Sequence, residues 1–146
     1  MISKRIGGLV LLLWLGLGAL WGQTRPTTDL ERTQLKHCFA PSSVVDYRID
    51  SLAEGGMGLM LTVVNVTQYN MVHYDFEWIA SVDGETLLNG RIYSDKTLAP
   101  DAERAHYNAV TDALLQPNVT QLLAAHADGN LTFKLECKGL RLAVVE

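Results

Sequence analysis

Cysteine is scarce in this chain, and its placement rules out several chemistries. The two cysteines, Cys38 and Cys137, are about 100 residues apart, so no CxxC redox motif exists. The four histidines are His37, His73, His106 and His126. None falls at an H-x-x-x-H spacing, so neither a metal site nor a cofactor is expected. Basic residues are few, 12 against 16 acidic, for a net charge of −4. That balance argues against a nucleic-acid partner, which needs a basic face. There is no G-x-S-x-G nucleophile elbow. Gly55-Gly56-Met57-Gly58 lacks the Lys-Ser/Thr of a phosphate-binding loop and reads as a turn.

Long apolar runs are also missing, with one exception at the start. Lys4 and Arg5 precede an uncharged stretch, Ile6 to Trp21. Its 16 residues fall short of the about 20 that a spanning helix needs. A basic start, a short apolar core and a small residue at Gly22 make the signal-peptide pattern. Residues 1–22 are therefore expected to direct export and to be cleaved, leaving Gln23 first. Retention would leave a membrane tether instead. The mature chain carries 10 basic and 16 acidic residues. It is long enough for one domain and too short for two.

Residues 23–43 are polar, contain Pro26 and read as a linker and N-terminal segment with a short helical turn at 28–36. From 44 onward the pattern turns to strand. Val45, Tyr47 and Ile49 alternate with Asp46, Arg48 and Asp50, and 59–66 is a β-branched apolar run, so the two predict a hairpin. Alternation is longest over 71–82, where Val72, Tyr74, Phe76, Trp78 and Ala80 share one face. Asp83-Gly84 predicts a tight turn into a strand over 86–92. A weaker strand covers 105–111. Val119, Leu122, Leu123 and His126 fall on one face of a short helix, with Asn118 as its cap and Gly129 as its stop. The last strand runs over 131–144, with a bulge or close approach at Gly139. The sum is one mainly β domain, 44–146, an antiparallel β-sandwich with one short helix.

The segments L-M-L-T-V-V-N-V, F-E-W-I-A-S-V-D-G-E-T-L-L-N-G, L-A-P-D-A-E-R-A and L-T-F-K-L-E-C-K-G-L-R-L come in an order that resembles the late embryogenesis abundant group 2 family, also called the water stress and hypersensitive response domain. Asn65 stands where that family's Asn-Pro-Asn motif begins, with Val66 and Thr67 in the next two places. The resemblance implies a fibronectin type III-like fold and a non-enzymatic role in stress tolerance. It also fits export to the periplasm or outside the cell.

Export permits a Cys38–Cys137 disulfide, and two free buried thiols are the alternative. His37 beside Cys38 is not expected to form a nucleophile–base pair, because strand neighbours point to opposite faces. Asp75 and Glu77 share a strand face about 7 Å apart, a spacing that fits glycosidase carboxylates but is routine on a wet strand. His73 and His106 are expected on wet faces. The expected function is binding, interaction or stress protection by an exported domain with a protein or cell-envelope partner. Membrane contact is expected only if the N-terminal segment is retained. Two alternatives remain: a lipid held between the sheets by Tyr74, Phe76, Trp78 and Phe133, or a hydrolase built on Asp75, Glu77 and His73.

Overall fold

The computed structural model describes residues 27–146. The expected signal peptide lies outside them. Helix α1 (Asp29–Phe39) leads through a 3-10 turn (Pro41–Ser43) into β1 (Val45–Ser51) and β2 (Met57–Val64). Then come β3 (Asn70–Val82), β4 (Glu85–Ser94) and β5 (Glu103–Val110). A second 3-10 turn (Ala113–Leu115) opens into α2 (Gln116–Asp128), and β6 (Leu131–Ala143) closes the chain. The strands form two antiparallel three-stranded sheets, ordered β1-β2-β5 and β4-β3-β6. The molecule is thus mainly β, a sandwich as the alternation predicts.

The core follows from period 2. Leu59, Leu61 and Val63 of β2 face Tyr74, Phe76, Trp78 and Ala80 of β3, all buried. The Asp83-Gly84 turn has positive φ at both residues, 52° and 82°. That geometry matches the twist of a two-residue hairpin.

Three bulges correct the simple alternation. Met71 pairs with Leu142 and His73 with Arg141, so Val72 is an extra residue on β3 and Met71 is buried in its place. Asp75 pairs with Gly139 and Phe76 with Cys137, leaving Lys138 extra on β6. This shift returns Leu140 and Leu142 to the core, where strict alternation from Cys137 would have put Gly139 and Arg141. Gly139 is also a close approach: a Cβ there would lie 3.1 Å from His73 Nε2. Leu87 is the third extra residue, on β4.

Residues 28–39 are more than a turn. Thr28 and Glu31 form a capping box, each side chain bonded to the other's backbone N–H. Among the described residues there are therefore two α-helices, against the one expected. α1 packs along β6, and the Pro41–Ser43 turn touches both β1 and β6. The second helix starts earlier than expected, at Gln116, and Asn118 does not cap it. Asn118 Nδ2 instead donates to the carbonyl of the bulged Leu87 at 3.0 Å. Gly129 ends the helix at φ 77°, as expected.

Candidate functional site

The two open sides of the sandwich differ. On the β1–β6 side, a disulfide joins Cys38 of α1 to Cys137 of β6, with Cα atoms 5.1 Å apart. Tyr47 stacks on Phe133 at 3.9 Å, and Phe133 lies parallel to Trp78 at 6.0 Å. A cleft of about 310 Å³ remains there, lined by Pro41, Val45, Tyr47 and Phe133 among others. His37 is buried beside this seam and its Nδ1 lies 2.6 Å from Ser43 Oγ. Ser43 Oγ in turn donates to the Ala40 carbonyl. With its hydroxyl proton committed, Ser43 accepts from His37, the reverse of what a nucleophile–base pair needs. Burial, with help from Lys36, lowers the His37 pKa.

The β4–β5 side is polar where a sandwich interior is ordinarily apolar. Register explains it. Arg104, His106 and Asn108 pair with Val63, Leu61 and Leu59, whose side chains form the core. Cross-strand partners share a face, so these three polar residues point inward along the seam. His106 is therefore not the wet-face residue that sequence suggested. The Tyr74 hydroxyl, on a wholly buried side chain, bonds His106 Nε2. Arg104 Nη1 donates to Ser94 Oγ at 2.9 Å and to the Lys96 carbonyl at 3.2 Å, and Nη2 to the Thr97 carbonyl at 3.2 Å. Desolvation first, and the nearby Arg104 second, lower the His106 pKa. The lowered pKa favours the neutral ring, in which Nε2 is free to accept from the Tyr74 hydroxyl.

Lower on the same seam is a cleft of about 210 Å³, walled by Trp78, Leu88, Gly90, Asn108, Val110 and Leu115 among others. Trp78 is 4% exposed, and the edge of its indole lies over Gly90. A Cβ at position 90 would sit 2.6 Å from Nε1, Cε2 and Cζ2. Among the described residues, Trp78 Nε1 is the buried side-chain nitrogen or oxygen left without a hydrogen-bond partner.

The remaining sequence candidates fall elsewhere. Asp75, Glu77 and His73 do share a face, the outer one of β4-β3-β6, with ion-pair partners. Arg91 grips Asp75 through two bonds of 2.7 Å and lowers its pKa. His73 Nδ1 meets Asp95 at 2.7 Å, and Lys138 lies 3.7 Å from Glu77. Tyr74 and Phe76 stack on each other at 5.8 Å and are fully buried, so a lipid between the sheets would have to displace them. Among the described residues, no group of three or more His, Cys, Asp or Glu is placed to hold a metal.

Asn65 is wholly buried. Its Nδ2 donates to the carbonyls of Tyr69 and Leu98, both at 2.8 Å, and its Oδ1 accepts from Thr67 N–H at 3.0 Å and Thr67 Oγ1 at 2.7 Å. It therefore pins the β2–β3 loop to the β4–β5 loop.

Fold and seam define a disulfide-linked β-sandwich domain with one aromatic, disulfide-bonded side and one polar side. No protein-family model and no curated protein matches this chain. A crystal structure of a protein from Archaeoglobus fulgidus is similar over 69% of this chain and 88% of that one, at 11% identity and a TM-score of 0.38.

Proposed function

We propose that this chain is an exported sandwich domain that binds a partner or ligand and performs no reaction of its own. The Cys38–Cys137 disulfide carries the proposal. Such bonds persist in oxidising compartments and are rare where glutathione keeps thiols reduced. The basic-then-apolar start of the sequence fits the same route. The way charge is used supports the non-enzymatic half. Asp75, Glu77 and Asp95 are each engaged by a basic side chain on a solvated face. Burial has not raised Asp75 or Asp95 towards general-acid duty, since the pKa values of both are lowered. The stress-protection role that the family resemblance implies is one form this binding could take.

Cell fractionation of the full chain, with N-terminal sequencing and a thiol count on denatured, unreduced protein, tests export. The expected product lies outside the cytoplasm, begins at Gln23 and has no free thiol. A start at Met1 or Ile2 in a membrane fraction gives the tethered form of the same exported domain. A cytoplasmic product with two free thiols rejects the proposal.

A further inference from the structure

The unpartnered indole N–H of Trp78 defines a ligand site, and this inference rests on reading the domain as a binding module. We infer that the cleft between β4 and β5 takes one neutral, hydroxyl-bearing ring about the size of a hexose. An indole N–H is a donor only. Buried without an acceptor, it costs about 1–3 kcal/mol, so the fold keeps it at a cost that an acceptor in the cleft would remove. Gly90 is what lets the indole lie at the cleft wall, because any larger side chain would strike it.

The rest of the lining sets the class. Asn108 lines the cleft from the inner face of β5, is exposed, and its side chain forms no hydrogen bond with other described residues. Amides both donate and accept, which matches hydroxyl groups. Trp78, Leu88, Val110 and Leu115 offer apolar surface to the carbon face of a ring. Arg91, also at the rim, is already bound by Asp75, so no unpaired cation invites an anion. The size, about 210 Å³, suits one ring.

A peptide strand fits less well, although β4 and β5 are both edge strands. Arg104 points a charge inward from β5, one of the ways edges are guarded against strand addition. Asn118 covers the Leu87 carbonyl at one end of β4, and Arg104 covers the Lys96 and Thr97 carbonyls just past the other.

The test is a titration of the ¹⁵N-labelled exported protein with glucose, N-acetylglucosamine and the chitin trisaccharide, following the Trp78 indole N–H by NMR. Loss of the signal in Trp78→Phe assigns it. A saturable shift with at least one of these sugars is expected, weakened about tenfold in Asn108→Ala, the loss of roughly one hydrogen bond. Tighter binding of the trisaccharide than of its monomer would identify the natural source as a polysaccharide end, and equal binding a free sugar. Asn108 is exposed, so an unchanged denaturation midpoint in that variant separates lost contact from lost fold. An indole signal that no sugar moves, or one moved only by an extended peptide together with the β4 and β5 backbone amides, overturns the inference. Neither result bears on export, which fractionation reads independently.

Discussion

The side-chain carbonyl of Gln34 accepts the backbone N–H of Leu142 at 2.9 Å. Gln34 lies on α1 and Leu142 on β6, an edge strand whose outer N–H groups have no strand neighbour. The Cys38–Cys137 bond holds the same two elements one helical turn further along. At the near end, Gln68 and Tyr69 both donate to Asp29 of the first turn of α1. The helix thus covers an edge that would otherwise template another strand, and the disulfide makes that cover permanent.

Removing the bond should both destabilise the domain and expose that edge. The Cys38→Ser/Cys137→Ser variant is expected to lose about 2–5 kcal/mol in urea unfolding, the usual range for a native bridge closing a long loop. Exchange of the Leu142 amide should quicken more than that of Phe76 in central β3. Equal stability of the variant and the oxidised protein would show that α1 docks without help from the bond.

Asn65 is expected to matter more than its size suggests. Alanine there strands the Thr67 N–H in a dry loop junction and takes one of two donors from each of the Tyr69 and Leu98 carbonyls, which keep Thr67 Oγ1 and the Met71 N–H. The expected loss is about 3–5 kcal/mol, in the range of broken buried networks. Its neighbour Val66 is 54% exposed, and Val66→Ala should change stability by no more than about 0.5 kcal/mol. Similar midpoints for the two variants, measured side by side, would remove Asn65 from this role.

These residues also separate what sequence could reveal from what it could not. The alternation from Tyr74 to Val82 and the Asp83-Gly84 turn depend on local rules, and both emerge from the sequence in register. The bulges at Val72, Leu87 and Lys138 do not, because an extra residue exists only relative to a partner strand. The same is true of His106. Alternation over 105–111 fixes which residues share a face, but not which face is inside. Leu61, opposite His106 in the register, decides that. The first helix was legible in part. Thr-Asp-Leu-Glu at 28–31 is a capping-box signature, but a polar segment holding Cys38 beside few apolar residues gives little helical periodicity. The candidate seam was invisible for a further reason. Trp78 and Asn108 are 30 positions apart and meet only when the two sheets pack.

Acid should weaken the fold in two separate windows. The pKa values of His37 and His106 are both lowered from 6.5. The unfolded chain therefore takes up their protons first, and stability falls as pH drops from 6.5 through the folded values. Protonated His106 would lose its role as acceptor for Tyr74 and add a cation beside Arg104. Asp75 and Asp95 are lowered from 3.8, so their contribution is lost only as pH falls below that value. Urea midpoints taken from pH 8 to pH 3 should show the earlier decline. His106→Gln should shrink it to the His37 share while leaving the later one. A profile level down to pH 4 would place neither histidine in its described surroundings.

Trp78 and Gly90 should behave as a coupled pair. Trp78→Ala is expected to cost about 3–5 kcal/mol, the range for emptying a large aromatic site. Gly90→Ala should cost about 1–3 kcal/mol by overpacking, since its Cβ would press on the indole edge at 2.6 Å. In the double variant the new methyl group enters the space that the ring has left. Its loss should then fall short of the summed single losses by at least about 0.5 kcal/mol, the signature of residues in contact. Urea unfolding of all four members of the cycle measures that difference. Strict additivity would mean that the indole does not rest on position 90, and would remove the wall against which the proposed sugar ring binds.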